Sequence, residues 1–204
     1  MLRKVFLSIG AIALAVSMAV YPPSVATSAP LPGDSCLLIV APEWAGSGVP
    51  VGTHKVVTAA HVAAEVDPPF LMGHGFNGFT TILFITRISE ECDLALLSSV
   101  EDLVPVELSP VPAERGQPVI VVGSAARVLN AYRRGYVAQV DAEGHLILDV
   151  MVRPGDSGGA VLSLDGKLLG ITVAVYTGAL GAGYGVAEPV SEVARLMSLE
   201  ENAR

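Results

Sequence analysis

From residue 36 onward the chain is cut into short apolar runs by glycine, proline and aspartate, and almost none of these runs is long enough for a helix. Examples are "CLLIV" (36–40), "KVVTAAHV" (55–62), "FTTILFITRI" (79–88) and "CDLALL" (92–97) in the first half, then "VIVVGSA" (119–125), "AVLSL" (160–164) and "KLLGITVAVY" (167–176). They are rich in β-branched residues, which favour a pleated surface, and turn residues bound them. "GSGVPVG" (46–52) reads as a Gly-rich bend and strand, and "GHGFNGF" (73–79) as a surface loop. The stretch 129–152 reads as a meander with turns near Arg134-Gly135 and Glu143-Gly144, and Asp165-Gly166 as a two-residue hairpin turn.

Between the two sets of strands lies "PVELSPVPAERGQPV" (105–119), whose four prolines and glycine make it a linker. Only the end is helical in pattern: Pro189 suits a first turn, and Val190, Val193, Ala194 and Met197 recur at helical spacing. About six strands, a linker, about six more strands and a helix give an all-β chain. Pattern alone leaves barrels and a sandwich both open.

The first 26 residues read as a signal peptide. "MLRK" is a basic start, 5–20 an apolar run shorter than a membrane span, and Ser24 and Ala26 fit small-x-small cleavage after Ala26. The alternative, an uncleaved anchor, fits the short run and its Pro-rich exit less well. The product, 27–204, is expected outside the cytoplasm, secreted or periplasmic, with no stable membrane association after cleavage. The chain's net charge of −8 becomes −10 when Arg3 and Lys4 leave with the signal, which argues against nucleic acid or anionic lipid as partner.

Export also makes a disulfide possible between the two cysteines, Cys36 and Cys92. A bridge would close a loop of about 55 residues and contribute roughly 4 kcal/mol. The alternative is two buried thiols.

Three residues stand out for chemistry. In "GDSGG" (155–159) the glycines strip side chains from around Ser157, so a carbonyl can approach and backbone N–H groups can converge. A serine hydroxyl needs a base, and the base needs an orienting carboxylate. His61 ends an apolar strand among small residues that leave room around an imidazole. Asp93 precedes "LALL", at the mouth of an apolar strand, where a carboxylate needs a partner. No H-E-x-x-H or C-x-x-C is present and the histidines are scattered, so neither a metal nor another cofactor is expected.

"TAAH" (58–61), "CDLALL" (92–97) and "GDSGG" (155–159), in that order, resemble the signature segments of the chymotrypsin-like (trypsin-fold) serine peptidases. "GDSGGAVLSLDGKLLGI" is close to bacterial secreted members of HtrA-like or glutamyl-endopeptidase-like type. The resemblance covers roughly residues 45–190. It implies two six-stranded antiparallel β-barrels, about 35–108 and 117–188, a helix about 189–199, and a cleft between the barrels. It further implies that Ser157 is nucleophile, His61 base then acid, Asp93 its orienting group, and that the N–H groups of Gly155 and Ser157 form an oxyanion hole. A protein or peptide substrate follows, and a monomer is expected.

The specificity pocket would take Met151 at its base, with Thr172 and Ala174 on its wall, favouring an apolar or small side chain. No "IVGG"-like terminus precedes "GSGV", so activation by a new N-terminal amine is not expected, and Asp156 needs another partner, such as Arg153. No PDZ-like domain is expected after the helix. Two other readings compete. A non-catalytic module on the same fold usually loses a catalytic residue, and all are present. An α/β-hydrolase needs a histidine after its serine, and none follows Ser157.

Overall fold

The computed structural model of the protein describes residues 36–41, 44–64, 69–76, 78–177 and 183–202; the expected signal segment, 1–26, lies outside them. Twelve strands form two closed antiparallel barrels. The first holds β1 (Leu37–Val40), β2 (Ala45–Gly52), β3 (Lys55–Ala59), β4 (Phe70–His74), β5 (Thr80–Ser89) and β6 (Leu94–Ser99), in the order β1-β2-β3-β6-β5-β4. The second holds β7 (Pro118–Gly123), β8 (Ala131–Val140), β9 (Leu146–Leu148), β10 (Ala160–Leu162), β11 (Leu168–Thr177) and β12 (Gly183–Pro189), in the order β10-β11-β12-β9-β8-β7. Closure leaves no open sheet edge, which settles the choice that pattern left between barrels and a sandwich.

Two kinds of strand follow from two kinds of burial. β5 alternates along most of its length: Thr81 and Leu83 are buried while Ile82 and Phe84 face outward, as expected where one face meets a core and the other meets water. The "VIVV" run of β7 is different. Val119 and Val121 pack with Val137, Leu146, Leu148 and Val161 in the second barrel's own core. Ile120 and Val122 belong instead to a cluster shared with the first barrel, together with Ala160, Leu162 and Ile171. A strand buried on both faces has no polar side to show, so its sequence is a continuous apolar run.

α2 (Val190–Glu201) follows β12 and packs against β11 and β12 of one barrel and β5 and β6 of the other. Its buried face is Val190, Val193 and Leu196, whereas Ala194, expected inside, is exposed. Lys55 of β3 pairs with Glu200 at 3.1 Å and Glu201 at 3.0 Å, tying the helix end to the first barrel. Pro189 both ends β12 and stands as the N-cap of the helix.

Three local expectations change. β8 runs straight through Arg134-Gly135, where a Cβ on Gly135 would strike Val150 and the Asp149 carboxylate, so that glycine serves close packing rather than a turn. The Asp165-Gly166 turn is longer than two residues, because Ser163 and Lys167 close it through Ser163 N donating to Lys167 O at 2.9 Å. The cysteines form no disulfide. The Cys36 thiol donates to the Val122 carbonyl at 3.2 Å across the barrel interface, and burial pushes its pKa up to about 12. The Cys92 thiol lies 3.2 Å from the Ser89 hydroxyl, in the turn between β5 and β6. Both are therefore packed, buried thiols with separate partners.

Leu162 lies in the shared cluster and is fully buried. Leu162→Ala should lower unfolding free energy by about 2–5 kcal/mol in urea titration. A loss under about 0.5 kcal/mol, the range of surface changes, would contradict a common core for the two barrels.

Candidate active site

His61 is the second residue of α1 (Ala60–Ala63), a single turn that continues directly from β3. That turn is held by one residue, Asp93, in the loop before β6. Its carbonyl accepts from Ala60 N at 2.8 Å, one carboxylate oxygen accepts from His61 N at 3.0 Å, and the other lies 2.8 Å from His61 Nδ1. Asp93 reaches this position with φ 44°, a left-handed conformation that aspartate tolerates better than most residues. With Nδ1–H donated to the carboxylate, Nε2 is the bare nitrogen. The bond to Asp93 outweighs partial burial and raises the His61 pKa above the ordinary imidazole value.

Ser157 sits in the loop between Val152 and β10, and that loop docks on the first barrel. Ser47 of β2 donates its N–H to the Ser157 carbonyl at 2.7 Å and its hydroxyl to the Gly155 carbonyl at 2.7 Å. Gly158, at φ +83°, lies so close to the Ser47 carbonyl, the Thr58 hydroxyl and Ala59 N that no Cβ fits. The serine is thus seated against the end of β3, two residues before His61. No hydrogen bond joins the Ser157 hydroxyl to His61 among the described residues; in unliganded sites this contact is often long and closes with substrate.

The backbone around Ser157 is fixed from several sides. Asp156 N donates to Arg153 O at 2.9 Å, closing a β-turn with Pro154 second and Gly155 third at φ +100°, as a type II turn requires. The Pro154 carbonyl accepts from Ala126 N at 3.1 Å. In a trans peptide N–H points opposite to C=O, so Gly155 N–H is turned away from Ala126. Neither Gly155 N–H nor Ser157 N–H donates to another described residue. Two such groups on one turn can receive an anionic oxygen.

Asp156 is fully buried, and its partner is Arg133 of β8, whose Nη2 donates to one carboxylate oxygen at 2.6 Å. Arg153, the partner expected from sequence, contributes only its backbone N–H to that carboxylate, at 2.8 Å. Thr172, expected on the pocket wall, is also fully buried; its hydroxyl donates to the Asp156 carbonyl and accepts from Gly159 N at 3.0 Å, so it braces the loop from beneath. Met151 is 58% exposed, and Ala174 of β11 is exposed.

Asp141, Glu143 and His145 place ligand atoms within 4.8 Å of one another. Both His145 ring nitrogens are engaged, Nδ1 2.9 Å from Asp141 and Nε2 3.2 Å from Glu188, so this group is an ion-paired turn.

Sequence reasoning passed over Ser47, Thr58 and Arg133 as individual residues. Ser47 stands inside "GSGVPVG", a Gly-rich bend and strand by sequence with no mark of a buried hydroxyl, and Arg133 carries no local signal, since its partner is 23 residues away.

A closed pair of six-stranded antiparallel barrels, with a His–Asp pair on one and a glycine-flanked serine on the other, is a trypsin-like architecture. The trypsin-like peptidase domain family model matches residues 46–171, and the chain belongs to that family. It is 29% identical over 177 residues to Protease Do-like 4, mitochondrial, of Arabidopsis thaliana, covering 79% of this chain and 33% of that protein. It is 35% identical over 74 residues to a probable periplasmic serine endoprotease DegP-like of Chlamydia muridarum, covering 36% of this chain and 14% of that one. The chain therefore spans a third or less of the length of these curated relatives. Among solved structures, the serine endoprotease from Yersinia pestis superposes with a TM-score of 0.75 at 20% identity, over 82% of this chain and 63% of that one. HtrA-type protease AlgW with tripeptide superposes with a TM-score of 0.74 at 21% identity, over 84% and 62%.

Arg133→Met leaves the buried Asp156 carboxylate with the Arg153 N–H as its one donor among the described residues. It should cost about 3 kcal/mol of stability by thermal unfolding, and Asp156→Asn in the same chain should recover part of the loss. A Met variant as stable as wild type would mean that the pair does not hold the loop.

Proposed function

We propose that the chain is an exported serine endopeptidase that cleaves protein or peptide substrates through an acyl-enzyme. His61 Nε2 takes the proton of the Ser157 hydroxyl as Oγ attacks the scissile carbonyl. The oxyanion of the tetrahedral intermediate is received by the N–H groups of Gly155 and Ser157. His61, now protonated, gives its proton to the leaving amine, and the same steps run with water to release the acid. Asp93 holds the ring in the working tautomer and stabilises its cation. The observation that carries this reading is the doubly bonded Asp93–His61 pair, which leaves Nε2 as the free base beside the docked Ser157 loop.

Met151 and Ala174 are the residues we assign to the pocket beside the cleaved bond, where an apolar or small side chain is favoured. Action outside the cytoplasm rests on the apolar run at 5–20 and on the periplasmic designation of one relative. A monomer is the expected working form.

Ser157→Ala should abolish both hydrolysis of a casein substrate and labelling by a fluorophosphonate; labelling that persists in this variant would refute the assignment. A folded wild type that takes up no label would favour a binding module.

The acid limb of the pH profile is a separate check. His61 must be neutral to act as base, so kcat/KM should rise with pH through an apparent pKa above the ordinary value of about 6.5. Asp93→Asn should move that limb to lower pH and reduce kcat by roughly 10⁴-fold. An unmoved limb would mean that Asp93 does not act through His61.

A further inference from the structure

We propose that Ser47 is a positioning residue for the oxyanion-binding turn, acting through its buried hydroxyl; this rests on the serine-peptidase reading above. Ser47 lies in β2 of the first barrel and is fully buried. A buried hydroxyl is unfavourable unless its hydrogen bonds are made, and alanine would fill most of the same space. Here the hydroxyl makes two. It accepts from Ser124 N at 2.8 Å and donates to the Gly155 carbonyl at 2.7 Å.

These two bonds act on the two peptide planes that flank Gly155, of which the Pro154–Gly155 plane carries its N–H. The bond to the Gly155 carbonyl pins the Gly155–Asp156 peptide directly. The bond from Ser124 N anchors the start of the segment in which Ala126 N holds the Pro154 carbonyl, and with it the Pro154–Gly155 peptide. That segment needs an anchor, since Ala126 at φ 52° and Arg127 at φ 64° occupy left-handed conformations unfavourable for residues with side chains. One hydroxyl on the first barrel thus sets the direction of an N–H on the second. His61 and Asp93 touch neither bond.

The test compares Ser47→Ala with wild type, both first checked for cooperative thermal unfolding. The Ala variant should lose 10- to 100-fold in kcat with KM little changed, somewhat less than removal of an oxyanion donor itself. Its affinity for a peptide boronate, which forms a tetrahedral adduct, should fall by a similar factor. The acid limb of its pH profile should stay in place.

An Ala variant with wild-type kcat overturns the proposal. So does one that is slow with unchanged boronate affinity, or slow with a shifted acid limb. Should Ser47→Ala fail to fold, Ser47→Cys keeps the volume and weakens both hydrogen bonds, and it carries the same expectations and the same contrary results. A wild type lacking Ser157-dependent fluorophosphonate labelling overturns the peptidase reading and this proposal with it. A wild type that labels, beside a fully active Ser47→Ala, overturns this proposal alone.

Discussion

The seating of the loop 155–159 on β2 and the end of β3 is the contact on which the arrangement depends. The two barrels carry different parts of the proposed site, the His61–Asp93 pair on one and the Ser157 loop on the other. What joins them is a short run of backbone: the Ser157 carbonyl on Ser47 N, the Gly155 carbonyl on the Ser47 hydroxyl, and Gly158 against Thr58 and Ala59. Backbone contacts at this range tolerate no side chain, which explains a glycine immediately after the serine. The shared apolar cluster sets the barrels side by side, and the polar contacts fix their register.

Such a seat buries polar groups, and burial is unfavourable unless each is paired. The structure pairs the buried hydroxyls and the carboxylate nearest the serine, while Ser124 Oγ and Arg133 Nε stay buried without a hydrogen-bond partner among the described residues. The Thr58 hydroxyl donates to the Ser47 carbonyl at 2.6 Å, the Thr172 hydroxyl donates to the Asp156 carbonyl, and the Asp156 carboxylate meets Arg133 and Arg153 N. Arg133 is already in place on β8, so the carboxylate is neutralised without a newly released amine. The loop's shape is accordingly a property of the folded chain.

The strands were legible because they must be apolar and short, and their turns Gly-, Pro- or Asp-rich; that they close as barrels was implied only by the family resemblance. Local chemistry of this kind is written locally. The doubly buried β7 even advertised itself as an unbroken "VIVV". His61, Asp93 and Ser157 stood out because each sits in a distinctive short context. The supports did not. Whether Arg133 faces Asp156, or Thr172 is buried beneath the loop, depends on which strand face meets which neighbour across the fold. The disulfide failed for the same reason: two cysteines in a chain expected to be exported permit a bridge, but only the packing places Cys36 on Val122 and Cys92 on Ser89.

The central claim is that the loop is held in working shape by contacts already present in the folded chain. A crystal structure of the peptide boronate adduct tests it most directly. Boron is expected on the Ser157 Oγ, with one boronate oxygen within about 3 Å of Gly155 N and Ser157 N, and the Pro154 carbonyl still on Ala126 N. An adduct in which the Pro154–Gly155 peptide is turned over, its N–H facing Ala126, would contradict it.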